Sequence, residues 1–208
     1  MDIYERIKQI MAGRDDITVF EFGACDGSDI LAITDVMAGK RYKYFAFEAS
    51  ATRIPQMMRH GHVSTVPNLT VINKAIGAID GRATFYQSDE YYYGSSSLRK
   101  PTEVMMADFP KMSFGETEVE VVRLDTFCLE NNVDRIDFIW SDIQGAEADM
   151  IAGGREMFAK TDYLYTEYNN GPAYEGCLDL AGILDMLPGW TVVEDYGGDA
   201  LLKNEGVA

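Results

Sequence analysis

Cysteine and histidine are scarce in this chain of 208 residues, which has three cysteines and two histidines. Cys25, Cys128 and Cys177 lie far apart in sequence, and no Cys-x-x-Cys pair or Cys/His cluster occurs. This pattern argues against a disulfide framework and against a structural zinc site, so we predict a protein of the reducing cytoplasm. His60 and His62 fall in a predicted surface turn, and neither is expected to be catalytic.

Basic residues and long hydrophobic runs are also few. Lys and Arg total 18 against 34 Asp and Glu, which gives a formal net charge of −16. A surface of this sign repels phosphate groups, so we expect neither nucleic acid nor an anionic membrane as a partner. No apolar run reaches the roughly 18 residues that a membrane-spanning helix needs. Residues 1–11 lack the basic start and apolar centre of a signal peptide.

Predicted strands and helices alternate along most of the chain. The apolar runs typical of strands are 17–22, 43–48, 69–73, 118–123, 136–140, 163–167, 190–195 and 199–203. Helical spacing of apolar residues marks 2–12, 28–39, 50–60, 125–131, 146–159 and 178–187. This alternation predicts a single α/β domain over residues 1–208, with a doubly wound, mainly parallel, seven-stranded sheet. Residues 1–15 carry the N-terminal helix.

Residues 74–116 depart from this alternation. Asp80 and Gly81 join two short strands within 74–86, which is a strong hairpin signal. Residues 88–116 then form a long excursion, of the kind that is usually a functional lid or a disordered insertion. We expect its tyrosines either to stack on a substrate or to pack the excursion onto the sheet.

The most informative stretch runs from Ile17 to Asp29, where an apolar strand ends in Glu21 and turns through Gly23 and Gly27. The next strand ends at Glu48, a position that suits a ribose diol. The turn lacks the second and third glycines of the Gly-x-Gly-x-x-Gly pattern that binds a pyrophosphate. Glu21 would instead face a cation, such as the sulfonium or α-amino group of S-adenosylmethionine, or would simply cap the loop. These features favour S-adenosylmethionine over a nicotinamide cofactor.

Several motifs resemble those of the FkbM-type methyltransferases. They are Val19–Gly27, Phe45–Glu48, Asn73–Gly77, Gly94–Leu98, Leu124–Phe127 and Ile136–Glu147. The resemblance spans about residues 17–203 and implies a class I, Rossmann-like methyltransferase that uses S-adenosylmethionine. It also implies O-methylation of a hydroxyl on a sugar or secondary metabolite. Many family members have Lys-x-Asp-Val-Glu-Gly where this chain has Trp140–Gly145, so Gln144 stands in the place of a glutamate.

Asp142 and Glu147 are the predicted catalytic residues. Asp142 follows a buried strand beside the crevice where open α/β sheets bind ligands, and Glu147 lies in the next helical turn. Together they could hold an acceptor hydroxyl in line with the sulfonium methyl group, or accept its proton. The alternative roles are a helix cap for Asp142 and compensation of the helix dipole for Glu147.

The remaining site residues are predicted in two groups. The cofactor group consists of Glu21, Gly23, Gly27, Glu48, Asn73 and Asp142. The acceptor group consists of Tyr92, Tyr93, Ser96, Glu167 and Asn169. Asp142 with Glu167, Asn169 or Asn170 would also make an oxygen-rich set suited to Mg²⁺ or Ca²⁺, but we favour hydrogen bonding to substrate and predict no metal. Two other classes of function stay open, an NAD-dependent oxidoreductase and a non-catalytic module that binds an adenosine cofactor.

Overall fold

A computed structural model describes residues 1–207. In that range the strands are β1 (Ile17–Phe22), β2 (Tyr42–Phe47), β3 (Leu69–Ile72), β4 (Ala75–Ile76), β5 (Gly81–Ser88), β6 (Phe114–Val122), β7 (Ile136–Ser141), β8 (Thr161–Glu167), β9 (Trp190–Asp195) and β10 (Asp199–Asn204). The α-helices are α1 (Ile3–Ile10), α2 (Ser28–Val36), α3 (Ile54–Met57), α4 (Glu103–Asp108), α5 (Leu124–Glu130), α6 (Glu147–Gly153), α7 (Arg155–Phe158) and α8 (Leu180–Met186). Among these residues, no helix has both the length and the apolar character needed to cross a bilayer.

Seven strands form one sheet in the order β3-β2-β1-β7-β8-β10-β9. Within this sheet, strands β3, β2, β1, β7 and β8 are parallel to one another, and β10 is antiparallel to both of its neighbours. The doubly wound, mainly parallel sheet predicted from the sequence is therefore confirmed. Strand order reverses between β1 and β7, which is the point where open α/β sheets leave a crevice at the carboxyl ends of their strands.

Apolar side chains cover both faces of this sheet. On one face, α1 and α2 bury Ile7 and Ile30 against Val19 of β1. On the other face, Phe20 of β1 packs edge-on against Phe127 of α5, with ring centroids 5.9 Å apart. Each such side chain gains about 1.5–3 kcal/mol from leaving water. The strand ends that frame the crevice thus rest on a sheet that is packed on both sides.

A second sheet has the order β4-β6-β5. The hairpin predicted across Asp80 and Gly81 is wrong in its pairing, because β6 lies between the two strands that this turn connects. The Asp80 side chain accepts hydrogen bonds from the Arg123 amide and the Thr126 hydroxyl, both at 2.8 Å. It therefore fixes the start of α5 and does not close a hairpin. The inserted antiparallel pair is β5 with β6.

Two predicted helices are shorter than expected. The helix expected over 50–60 reduces to α3, and a short 3-10 turn at Val63–Thr65 follows beyond that range. The helix expected over 146–159 divides into α6 and α7 at Gly153 and Gly154. A Cβ atom on Gly153 would lie 2.0 Å from the carbonyl oxygen of Gly77, so this glycine lets the second sheet approach the helix.

Candidate active site

The loop after β1 is fixed by its neighbouring strands. The backbone N–H groups of Gly23 and Ala24 both donate to the carbonyl of Phe47, at 3.0 and 2.9 Å. Gly23 has a φ of 85°, and a Cβ there would lie only 1.9 Å from the carbonyl oxygen of Asp142. The sequence pattern predicts a glycine that lets a ligand approach. In the structure, a second feature requires glycine at this position: the loops after β1 and β7 are in close contact.

The loop after β7 has an unusual backbone. Asp142 donates its N–H to the carbonyl of Phe22 at 3.0 Å, and Gln144 and Gly145 then both have positive φ values, 54° and 91°. Cys25, in the loop after β1, also has a positive φ of 49°. Left-handed backbone costs a non-glycine residue about 1–2 kcal/mol, and such positions cluster at functional sites. Both loops at the switch point therefore contain strained backbone of the kind that is common at binding sites.

The first cavity lies beside these two loops. It is a partly open cleft of about 590 Å³, a volume that includes open solvent. Its wall contains Gly23, Cys25, Glu48, Arg53, Tyr93, Ser96 and Asp142. Glu48 is buried, and its two oxygens accept from the N–H groups of Cys25 and Ser50 at 2.8 and 2.7 Å. Burial raises the pKa of Glu48, although the two backbone donors oppose that effect.

Two of the predicted cofactor residues, Asn73 and Gly27, make structural contacts near this cavity. The Asn73 amide donates to the carbonyls of Glu48 and Ala49, at 2.8 and 3.0 Å. Gly27 has a φ of 81°, and a Cβ there would come within 3 Å of Met57 and Val63. Neither residue lines the first cavity.

Glu21 lies beneath the loop after β1. Its side chain is completely buried and accepts a short hydrogen bond from the Tyr44 hydroxyl. Its other oxygen, Oε1, has no hydrogen-bond partner within residues 1–207. Burial raises the pKa of Glu21 well above its ordinary value, and the charges of Asp29, Asp142 and Glu48 add to the rise. A buried acid with an unpaired oxygen among other acids favours its protonated form, and Glu21 does not line the first cavity.

The second cavity lies between the loops after β7 and β8 and the excursion. Its wall includes Tyr92, Met105, Phe109, Gln144, Glu167, Asn169 and Tyr174. Three of the five predicted acceptor residues, Tyr92, Glu167 and Asn169, therefore line this cavity, whereas Tyr93 and Ser96 line the first. The Nδ2 atom of Asn169 is buried and has no hydrogen-bond partner in the described part of the chain.

The excursion that separates the cavities is an ordered wall. Its backbone pairs with the loop after β8, through Thr102 N–H to Ala173 at 3.0 Å and Glu175 N–H to Lys100 at 2.8 Å. The Arg53 guanidinium lies over the Tyr93 ring, 4.8 Å from its centroid. These hydrogen bonds attach the segment to the loop after β8.

The Gln144 side chain forms hydrogen bonds with residues of both cavities. Its Nε2 donates to Oδ1 of Asp142 and to Oε2 of Glu167, both at 2.6 Å. Its Oε1 lies 3.2 Å from the Tyr174 hydroxyl, which also donates to the carbonyl of Ser95 at 2.7 Å. The sequence motifs alone predict no role for Gln144. The available signal was its departure from the glutamate found at this position in many FkbM-type enzymes.

Glu147 occupies a different place from the one expected. It is completely buried at the start of α6 and lines neither cavity. One oxygen accepts from the N–H of Gly145 at 3.4 Å, and burial raises the pKa of Glu147 to about 7. The side chain that the structure joins to Asp142 is Glu167. In the described residues, no group of three or more His, Cys, Asp or Glu side chains is arranged to hold a metal ion.

The strand order and the crevice at its reversal define the class I, S-adenosylmethionine-dependent methyltransferase fold. The Methyltransferase FkbM domain matches residues 21–197, and this chain belongs to that family. The resemblance stated from the sequence motifs is thus confirmed. Methyl transfer is thereby favoured over the two alternative classes of function.

Three known proteins illustrate the relationship. The 2-O-methyltransferase NoeI of Sinorhizobium fredii (strain NBRC 101917 / NGR234) is 31% identical over 214 residues, which cover 98% of this chain and 86% of NoeI. The crystal structure of an FkbM methyltransferase from Methylobacillus flagellatus KT superposes with a TM-score of 0.56 at 17% identity. That match covers 91% of this chain but only 44% of the other. The N-terminal domain of EvdMO1, crystallised in the presence of SAH and D-fucose, matches with a TM-score of 0.51 at 11% identity, over 97% of this chain and 80% of that one.

Proposed function

We propose that this methyltransferase transfers the methyl group of S-adenosylmethionine to a hydroxyl of a neutral, sugar-like acceptor. The first cavity would hold the cofactor, and the second would hold the acceptor. The observation that carries this proposal is the concentration of acids at the switch point, with Asp142 between the two cavities.

These acids fit a cationic ligand. The carboxyl groups whose pKa values are raised are those of Glu21, Asp29, Glu48, Asp142, Glu147, Glu167 and Asp199, and burial is the largest cause for each. A sulfonium or an α-ammonium group would compensate their charge. A pyrophosphate would be repelled by the same groups. Arg53 and Lys74 also line the first cavity, but each is paired with a glutamate, at 3.2 and 3.4 Å.

Glu48 is the residue best placed for the cofactor ribose. Each of its oxygens accepts one backbone hydrogen bond, and each has a second lone pair that could accept from a ribose hydroxyl. The cofactor would supply an electrophilic methyl group. This chain's own residues would align the acceptor oxygen with it, exclude water and take up the hydroxyl proton.

The second cavity supports an uncharged hydroxylated acceptor. Its wall combines the aromatic rings of Tyr92 and Phe109 with the polar side chains of Glu167 and Asn169, and contains no Lys, Arg or His. A pyranose ring has an apolar face for the rings and hydroxyls for the polar groups. A phosphorylated acceptor, nucleic acid included, would find no cation there. The 2-O-methyltransferase activity in the name of NoeI agrees with a hydroxyl as the methyl acceptor.

Calorimetry with S-adenosylmethionine, S-adenosylhomocysteine and NAD tests the cofactor assignment. We expect the first two to bind and NAD not to bind. Replacing Glu48 by Ala should weaken binding of S-adenosylmethionine about 10- to 100-fold, because it removes charge-assisted hydrogen bonds. Glu118→Ala, an exposed glutamate on β6, is the matched control and should bind normally. Tight binding of NAD alone would refute the methyltransferase assignment, and an unchanged affinity in Glu48→Ala would remove Glu48 from the site.

A panel of methyl glycosides with a labelled methyl donor then tests the acceptor class. Transfer of label to a neutral glycoside supports the proposal. Transfer only to phosphorylated or nucleic-acid acceptors would contradict it.

A further inference from the structure

Asp142 and Glu167 are an acidic pair held together by one neutral side chain. The amide nitrogen of Gln144 has two hydrogens, and the two acids lie at the same distance from it, so each carboxylate can accept one hydrogen. Neither acid forms an ion pair within residues 1–207. The bridge therefore brings two acids together without a compensating positive charge.

The groups that face this pair from neighbouring elements are themselves acidic or neutral. Glu147 faces it from α6, Asp199 from the start of β10, and Tyr174 from the loop after β8. Removal from water, followed by the charges of Asp142, Glu147 and Asp199, raises the pKa of Glu167 to about 9. Two acids this close titrate as a unit and share their protons.

Other charged groups around the crevice do not neutralise the pair. Arg99 acts on Glu147, but its guanidinium is already paired with Asp149 at 2.7 Å. Glu21 and Asp29 approach Asp142 from β1 and α2, and both are acidic. Proton binding or a cationic ligand is what can relieve this excess of negative charge.

The pair also has the right position for proton transfer. Asp142 lines the first cavity, whereas Gln144 and Glu167 line the second. A group that bridges the two cavities stands where the methyl donor and the acceptor hydroxyl would meet. Glu147, the residue expected to act with Asp142, is enclosed at the start of α6 and lines neither cavity.

We propose that Asp142, Gln144 and Glu167 form one proton-accepting unit, in which Glu167 is the partner of Asp142 and Gln144 is a positioning residue. This inference rests on the proposed methyl transfer. In that reaction the acceptor oxygen forms a bond to the methyl carbon, and the carbon–sulfur bond breaks with its electron pair left on sulfur. The sulfonium becomes a neutral thioether, and the hydroxyl proton passes to a carboxylate of the unit.

The charge of the cofactor would lower the proton affinity of this unit before methyl transfer, and the loss of that charge would raise it afterwards. A nearby sulfonium favours ionised carboxylates, so the unit is ready to accept a proton while the methyl donor is bound. Methyl transfer removes that positive charge and raises the affinity of the unit for a proton. The proton is thus bound most strongly just after the hydroxyl has released it.

Proton counting by calorimetry tests the unit without any acceptor. Binding of S-adenosylmethionine and of S-adenosylhomocysteine is measured at pH 7.5 in two buffers of different ionisation enthalpy. We expect the cationic ligand to release more protons than the neutral one. The difference should disappear in Glu167→Gln and persist in Glu118→Gln, an exposed glutamate that serves as the matched control.

The possible results separate this inference from the proposed function. If both ligands bind and release equal numbers of protons, the proton-accepting unit is refuted and the cofactor assignment stands. If S-adenosylmethionine does not bind, the proposed function itself fails. A difference that persists in Glu167→Gln would assign the proton to another acid and would also overturn the inference.

Turnover provides the test for Gln144. With the acceptor found in the glycoside panel, Gln144→Met should lower kcat about tenfold and leave the Kd for S-adenosylmethionine within about twofold, because the carboxylates lose their alignment. Gln144→Glu keeps the shape but adds a third acid, so it should shift the pH dependence of kcat to higher pH. Gln9→Met, an exposed glutamine on α1, is the control. Normal kcat and an unchanged pH profile in both Gln144 variants would contradict the positioning role.

Discussion

The two cavities are built in different ways. The wall of the first is set mainly by backbone groups: Gly23 allows two loops to touch, and two N–H groups hold the Glu48 carboxylate. The second is set by side chains from distant segments, with Tyr92 from the excursion and Glu167 from β8. The difference implies that changes to the backbone of the first cavity should act through the fold, whereas changes to side chains in either cavity should act on the ligand that each side chain contacts.

The largest effect is expected from Gly23→Ala. Its new Cβ would lie 1.9 Å from a backbone oxygen, so the loops after β1 and β7 must move apart and both cavities should be distorted. We expect a loss of about 3 kcal/mol or more in the free energy of unfolding, with cofactor binding lost as well. Urea denaturation and calorimetry measure the two effects.

Gly39→Ala is the matched control for this change. Gly39 has nearly the same φ, 83°, but a Cβ there would meet nothing within 4 Å. It should lose only the roughly 1–2 kcal/mol of left-handed strain and bind the cofactor normally. Equal effects of the two substitutions would show that contact between the loops is unimportant.

Glu147 should affect stability more than catalysis, since it lies outside both cavities. Burial raises the pKa of Glu147 from 4.5 to about 7 in the folded protein. Its contribution to stability is therefore complete below about pH 4.5 and is lost as the pH rises through 7, to a total on the order of 3 kcal/mol. In Glu147→Gln, the free energy of unfolding should fall less steeply between pH 5 and pH 8.

A loss of catalytic activity in Glu147→Gln would be the contrary result. If Glu147→Gln keeps the pH dependence of stability but loses more than about 100-fold in kcat, Glu147 is a catalytic residue, as the sequence pattern predicts. Glu118→Gln, on the exposed side of β6, controls for the removal of one charge.

The smallest effects should distinguish two adjacent tyrosines. Tyr92 lines the second cavity and Tyr93 the first, where its ring lies against Arg53. Tyr92→Ala should raise the KM for the acceptor about tenfold without changing the Kd for S-adenosylmethionine, and Tyr93→Ala should do the reverse. Calorimetry measures the Kd and steady-state kinetics measures the KM, and each variant serves as the control for the other. If either variant changes both constants equally, the two cavities do not hold separate ligands.

The first cavity could be predicted in part: Gly23, Glu48 and Asp142 line it, whereas Glu21, Gly27 and Asn73 do not. The predicted residues that line it belong to patterns that are local in sequence. A strand that ends in an acid and turns through glycines specifies its own geometry, and Glu48 follows from the next strand in the same way. The parallel sheet is predictable for a similar reason, since alternating strands and helices allow few topologies. The exception is the β4-β6-β5 sheet, where contacts that are distant in sequence override a local turn signal.

The second cavity could be predicted only in part. Glu167 ends β8, Asn169 follows it, and the sequence predicts both near Asp142, but Gln144 acts through its distances to two other chain segments. The sequence proximity of Glu147 to Asp142 does not reveal that the Glu147 side chain is enclosed.

The most direct measurement is a crystal structure of this protein with S-adenosylhomocysteine. We predict that the ligand lies in the first cavity, with its ribose hydroxyls on the Glu48 carboxylate and its sulfur directed toward Asp142 and the second cavity. A ligand bound outside the crevice between β1 and β7, or one whose ribose does not contact Glu48, would contradict the proposed site.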